Sequence, residues 1–322
     1  MSTNLVSKIL FAGCLSFSNL AFADTLEQAM IALKMGQTEQ AIDLFKEQKN
    51  NPDAMLYLAK IYMDSDLDEA EDWIEQALEV NLNNAEVYYV HGATGIGFHF
   101  SALSYAEKSV NSFTKAVELK PDSIKYRKGL MQFHTSAPDI AGGDLEIAKV
   151  QIEKLRQLDP KVGLEAEINY ELSQDNVALA DTLLQRAKHT YNDIPDFFFQ
   201  AGMLQQRKEN YQAAFEELTR AISKNADTQE SVVAKYNALY QLGRTSVLGE
   251  TNIDAGIMAL KQYLSKAPGL DGLSPKSWTE FRLANLMVLN SQKLEAKTIY
   301  LRLAKADNKE LAKQAKKAAK KI

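Results

Sequence analysis

The chain has 322 residues, a formal net charge of −5 and 46% hydrophobic residues. That length and apolar content can bury a substantial core, while the acidic balance excludes nucleic acid as the main partner, because phosphate binding needs a basic face. Proline is scarce, Ala, Leu, Lys, Glu and Gln are plentiful, and runs of Val, Ile and Thr at period two are absent, so helix is expected and sheet is not.

The first 23 residues read as a secretory signal rather than as part of the fold. Lys8 supplies a positive start, an apolar stretch from Ile9 to Leu15 follows, and Ala21-Phe22-Ala23 is a small–x–small cleavage site before Asp24. Ser16, Ser18 and Asn19 interrupt the apolar run, which is too short for a membrane span. Cys14 is the only cysteine. Phe11-Ala12-Gly13-Cys14 has the outline of a lipoprotein box, but Phe11 fits it poorly and only three apolar residues separate it from Lys8, so the cut is expected after Ala23. The mature chain then has no cysteine, no disulfide and no thiol nucleophile, which suits a bacterial periplasm.

From Asp24 to Ala304 one spacing returns in every unit. Near 24–50, Met35-Gly36 opens a turn before Ala41 and Phe45. In 51–84, Leu58, Ala59 and Tyr62 precede Ala70 and Ala77. In 85–121, Gly92 precedes Phe113, Ala116 and Pro121; in 122–160, Gly129 precedes Ala148 and Pro160. In 161–194, Asp175-Asn176 marks the turn before Ala180 and Ala187. In 227–270, Leu242-Gly243 precedes Gly256, Leu260 and Pro268; in 271–304, Leu283-Ala284 precedes Ala296 and Tyr300. Unit 195–226 is the clearest: Phe198, Gly202, Tyr211, Ala214, Leu218 and Ala221 stand at positions 4, 8, 17, 20, 24 and 27 of a 34-residue period. This resembles a tetratricopeptide repeat. The resemblance implies an all-α fold, a right-handed α-solenoid of about eight helix pairs, with small residues where paired helices approach and large ones between successive pairs. Residues 305–322 form a basic capping helix, with Leu311, Ala315, Ala318 and Ile322 on one stripe and lysines elsewhere, so membrane contact is peripheral at most.

Two units carry extra residues. In the third, the addition falls within 92–109, GATGIGFHFSALSYAEKS. In the fourth, backward alignment from Ala148 places Gly143-Asp144 on the ordinary turn and leaves Ser136 to Gly142 as the addition. Pro138 disfavours helix at Ala137, so the first helix should end near Thr135. Gly142 and Gly143 can both take positive φ, and Asp144 can cap the next helix. The inserted residues Pro138, Asp139, Gly142 and Gly143 are either a contact loop or a tolerated addition, because lengthening a turn costs only about 1 kcal/mol of closure entropy. The stretch YRKGLMQFHTSAPDIAGGDLEIAKVQIEKLRQLDP also looks like a recurring subgroup of bacterial envelope tetratricopeptide proteins.

No motif for chemistry stands out. His91, His99, His134 and His189 lack HExxH spacing, GATGIG is not a dinucleotide fingerprint, and no GxSxG occurs, so no enzyme, metal or cofactor is expected. Asp64, Asp66 and Asp68 fall in a predicted turn as solvated charge. What the resemblance implies instead is a concave groove lined by the first helix of each pair. Carried over by position, it assigns Tyr89; Tyr126, Leu130, Phe133 and His134; Phe199, Met203 and Arg207; Tyr240 and Arg244; and Trp278, Phe281 and Asn285 to that groove. Aromatics mixed with Arg and Asn suit a peptide or protein partner. The expected function is a non-enzymatic periplasmic scaffold. The alternative is a small-ligand accessory of envelope transport, with a pocket near Phe98 and Phe100.

Overall fold

The computed structural model describes residues 25–97 and 103–322. The signal segment, Cys14, Phe98, His99 and Phe100 lie outside the described residues. All regular structure among the described residues is helical, and the chain is an all-α solenoid of helix pairs. It separates into two compact units, the first ending at Ser173 and the second running from Gln174 to Ile322.

Unit 1 contains α1 (residues 25–34), α2 (Thr38–Lys46), α3 (Pro52–Tyr62), α4 (Leu67–Val80), α5 (Ala85–Gly97), α6 (Leu103–Leu119), α7 (Ile124–Ser136), a 3-10 turn (Asp139–Ala141), α8 (Leu145–Leu158) and α9 (Pro160–Ser173). Local chemistry sets these starts. Asn51, Asp66, Ser123 and Asp144 each stand in extended backbone and accept a hydrogen bond from a free N–H of the first turn. Asp66 and Asp68, expected in a turn, thus begin α4: Asp66 caps it, and Asp68 lies in its acidic first turn. The apolar stripes of successive helices then close small cores, one around Phe45 and Leu58, another around Phe113, Leu130 and Phe133.

Unit 2 contains α10 (Val177–Thr190), α11 (Pro195–Arg207), α12 (Tyr211–Ser223), α13 (Gln229–Gly249), α14 (Ile253–Lys266), α15 (Lys276–Leu289), α16 (Lys293–Leu303) and α17 (Lys309–Ala319). Its main core joins Leu218, Ala238, Leu260, Tyr263 and Leu286. Gly202 shows why a small residue stands at the crossing of α11 and α12: a Cβ there would lie 2.7 Å from Leu218 Cγ. The stripe of α17 closes on α15 and α16 through Leu311 and Ala315, so the lysine-rich helix covers the last pair.

α13 departs most from the pattern. It has 21 residues where α11 has 13, and its surplus lies on the N-terminal side, ahead of Gly243. Helical backbone continues through Gln229, Glu230 and Val233, because Thr228 in extended conformation accepts from Ser231 N and fixes the start there.

Candidate partner-binding surface

The residues assigned by position lie on the odd-numbered helices α5, α7, α11, α13 and α15, but their exposures differ. In unit 1, Tyr89 is half-buried, its ring 5.4 Å from Tyr126 and 5.5 Å from Phe113, with the Lys125 ammonium 4.5 Å from its centre. The Tyr126 hydroxyl donates to Glu86 Oε2 at 3.0 Å. Burial, and then that bond to a carboxylate, push the Tyr126 phenol up to about 12. Glu86 is also paired with Lys60 at 2.7 Å and Lys125 at 2.6 Å. Burial would raise its carboxyl, but the two lysines outweigh that and hold it below the usual carboxylate range. Tyr126 itself is only 5% exposed, so the α5–α7 contact is a fixed polar network rather than an open aromatic surface.

Phe133 and His134 correct the positional assignment more sharply. Phe133 is fully buried among Phe113, Leu130, Ala137 and Ala141. His134 is 4% exposed, with its ring edge-on to Phe133 at 5.5 Å. Burial holds its imidazole below the ordinary value, against the opposing influence of Asp144. The cause is the inserted loop. Ala137 and Ala141 pack into the same core as Phe133, and the loop's 3-10 turn packs on α6. The loop is also closed on itself: Pro138 O accepts from both Ala141 N and Gly143 N, and Asp144 caps α8 through Glu146 N and Ile147 N. α7 ends at Ser136, with Ala137 extended before Pro138. Gly142 takes φ +86, but Gly143 does not share the left-handed conformation expected of it. Gly143 is needed for space instead, since a Cβ there would lie 1.8 Å from the Ala137 carbonyl oxygen. Asp139 and Pro138 are exposed, and Ile140 between Asp139 and Ala141 is 80% exposed.

In unit 2, Tyr240 and Phe281 are likewise core residues. Tyr240 packs 6.2 Å from Tyr263, and Phe281 lies 5.6 Å from Tyr300. Both occupy the buried side of their helices because the apolar stripe there is wider than the repeat pattern alone implies. Arg207 is exposed and pairs with Asp175 at 2.6 Å. Arg244 donates to Gln206 Oε1, whose Nε2 donates to Thr245 Oγ1 at 2.8 Å, so this arginine is tied between α11 and α13. Asn285 accepts from the Tyr300 hydroxyl at 2.6 Å.

Two open clefts in unit 2 take in three of the assigned residues, Phe281, Asn285 and Phe199. One, of about 680 Å³, is lined by Phe281, Asn285, Val247 and Leu289 with Lys313 and Lys317 of α17. The other, of about 510 Å³, is lined by Asp196, Phe199 and Gln200 of α11, Val233 and Asn237 of α13, and Asp271. Phe199 is the one assigned residue in the second cleft. Gln200, Val233 and Asn237 were not assigned, because the extra turns of α13 shift which residues reach the opening. The signal in the sequence was the run QESVVAK, which continues a helical pattern seven residues ahead of the repeat's expected start at Tyr236.

Among the described residues, no group of three or more His, Cys, Asp or Glu is arranged to hold a metal ion, and no helix is long and apolar enough to cross a membrane. His91 is buried, with Nδ1 2.7 Å from Ser112 Oγ.

Residues 32–93 match the family model described as tetratricopeptide repeat. That segment is similar to the tetratricopeptide-repeat family. A tetratricopeptide repeat protein from Parabacteroides merdae aligns with a TM-score of 0.55 at 12% identity, over 83% of this chain and 99% of that one. Cut9–Hcn1, a hetero-tetramer of the APC/C, aligns with a TM-score of 0.51 at 15% identity, over 93% of this chain and 52% of that one. At these identities the tetratricopeptide likeness shows a shared fold. No curated protein sequence gives a significant match. Protein–protein interaction is the role this fold points to.

Proposed function

We propose that this chain is a non-enzymatic scaffold of a bacterial periplasm that binds a peptide or protein segment on the odd-numbered helices of its repeats. One observation carries the reading: Phe199, Gln200, Val233 and Asn237, all half-buried, converge from α11 and α13 on an open cleft. An open cleft with an apolar wall formed by Phe199 and Val233 suits a side chain of a partner segment. The leader from Lys8 to Ala23 supports the periplasmic location.

The test is a photo-crosslinking residue at position 199, 233 or 285 in intact cells. The scaffold reading expects a discrete protein adduct from at least one position. No adduct from any of the three, in cells where the chain is folded and abundant, overturns it. Fractionation of the same cells should recover the chain, shortened by the leader, with periplasmic markers; full-length chain in the cytoplasm refutes the location.

A further inference from the structure

We infer that the cleft between α15 and α17 takes a partner segment that carries carboxylates beside apolar side chains. This rests on the scaffold reading and adds a second cleft and the chemistry of what fills it. α17 seals against α15 and α16 with Leu311, Ala315 and Ala319. Its adjoining stripe, Lys313, Gln314 and Lys317, with Lys321 just past the helix end, faces the open cleft of about 680 Å³. From Lys313 to Lys321 this wall runs about 12 Å. Across from it stand Val247 near the end of α13, and Asn285, Val288 and Leu289 on one face of α15. Val247 and Val288 are half-buried and Leu289 is 40% exposed, so apolar surface lies open there. Asn285 Oδ1 accepts from the Tyr300 hydroxyl, which leaves its amide N–H groups as donors with no partner among the described residues.

None of the three lysines has an ion-pair partner among the described residues. The two acidic residues of the cleft do not fill that role. Glu310 lies in the first turn of α17 and accepts from Gln314 Nε2 at 3.0 Å, and Glu250 ends α13. The negative end of a helix favours cations, which accounts for Lys317 and Lys321 as far as folding goes. It does not account for Lys313, in the middle of α17 and four residues before Lys317, where like charges repel. Nor does a capping helix need apolar surface left open beneath its lysines, since a terminal repeat is soluble through a polar face. A segment with two chemistries meets both features. Its carboxylates pair with the lysine row, its apolar side chains cover Val288 and Leu289, and a backbone carbonyl accepts from Asn285. Charge selects this end of the chain. Residues 305–322 hold seven lysines against Asp307 and Glu310, a net +5, while the whole chain is −5. An acidic segment is repelled by the rest of the chain and drawn to α17. A lipid surface would meet the outward Lys309, Lys316 and Lys320 as readily, without entering the cleft.

The experiment uses a fluorescein-labelled peptide that repeats Leu-Glu-Glu-Glu, with counterparts carrying serine for leucine or lysine for glutamate. Binding is read by fluorescence anisotropy with the full chain in 150 mM salt. The probe variant is Lys313→Gln/Lys317→Gln/Lys321→Gln. The control is Lys309→Gln/Lys316→Gln/Lys320→Gln, exposed lysines of the same segment that do not line the cleft, with the same change in net charge. The Leu-Glu peptide should bind wild type and control alike and the probe variant at least tenfold more weakly. Leu289→Ser should weaken it about threefold, the serine counterpart should bind at least tenfold more weakly than the leucine peptide, and the lysine counterpart should not bind. Equal binding by probe and control variants overturns the inference, because attraction to the basic end as a whole then suffices. Equal binding of the leucine and serine peptides overturns it too, because the apolar floor then takes no part. If the peptide does not bind, while the chain sediments with phosphatidylglycerol vesicles or self-associates in light scattering, the lysines serve a membrane or a second copy and the inference falls. A melting temperature within about 2 °C of wild type establishes that the probe variant is folded; if it is not, Lys313→Gln alone replaces it, with a threefold loss expected. Crosslinking at position 285 separates the two proposals. An adduct there that survives the probe substitutions removes the acidic segment and leaves the scaffold. Peptide binding lost in the probe variant, without a cellular adduct at 199, 233 or 285, leaves the acidic-segment cleft and removes the scaffold.

Discussion

Replacing Gly143 by alanine tests the account of the inserted loop. The added Cβ would stand 1.8 Å from the Ala137 carbonyl oxygen and 2.7 Å from its carbon. Both are backbone atoms, so no side chain can swing aside. Contact at 3.0 Å requires a displacement of roughly 1.2 Å, and forced shifts of this kind in packed structure cost about 3 kcal/mol. The Ala137 segment cannot yield freely, because it is buried against Phe133. In Gly142→Ala the Cβ meets only Val110 at 3.8 Å and Phe133 at 4.0 Å, so the cost is that of placing alanine at φ +86, about 1–2 kcal/mol. For a body the size of unit 1, the first change should lower Tm by roughly 6–12 °C and the second by about half or less. Circular dichroism melts of both variants decide the order. Hydrogen exchange should show the loss concentrated between residues 133 and 148. A Gly142→Ala variant less stable than Gly143→Ala would refute the reasoning, since conformation rather than space would then set the need for glycine.

Lys188 Nζ lies 2.6 Å from Glu217 Oε1, with the side chains 7% and 13% exposed; Lys188→Met should cost about 3–5 kcal/mol in urea denaturation, and Lys188→Met/Glu217→Leu should recover most of it. Equal losses in the single and double variants would show that the buried charge is not the cause. His91 and His134 are both held below the ordinary histidine value of 6.5, chiefly by burial, with Lys108 adding to the effect at His91 against Glu71 and Glu75. Protonation is thus favoured in the unfolded chain, so this stability is complete above pH 6.5 and falls as pH drops below it. The urea midpoint should decline between pH 7 and 5, and His91→Gln/His134→Gln should flatten that decline. Tyr126→Phe should cost about 1 kcal/mol, because Glu86 keeps Lys60 and Lys125. It should also remove one phenol from the fraction that resists ionisation at pH 11 in an ultraviolet titration, given a value of about 12.

The repeat was legible in the sequence because its signals are local. Gly202, Ala214 and Leu218 sit at spacings that a helix pair imposes on any such unit, and Asp144 caps α8 for reasons contained in four residues. The candidate surface was less legible because exposure is set by neighbours. Phe133 and His134 occupy the position of groove residues, yet both are buried, Phe133 in a core shared with Ala137 and Ala141 of the added loop. Gly143 was assigned a conformational role, whereas its need comes from the backbone of Ala137 six residues away. The cleft residues Gln200, Val233 and Asn237 depend on where α13 starts. A repeat template aligned on Gly243 places that start too late.

The length of α13 also bears on how unit 2 comes apart. In a stacked array each pair is held by its neighbours alone, so unfolding proceeds inward from a free end and stops where an interface is strongest. Twenty-one residues give this helix about 31 Å of length against about 20 Å for α11, and it touches α11 and α15 more extensively than other alternate helices of the chain touch one another. Fraying from α17 through α15 should therefore halt at α13. The loop that follows α14 is pinned to that same helix, Asn237 Nδ2 donating to Gly272 O at 2.8 Å, so the cleft between α11 and α13 persists while the last pairs open and close.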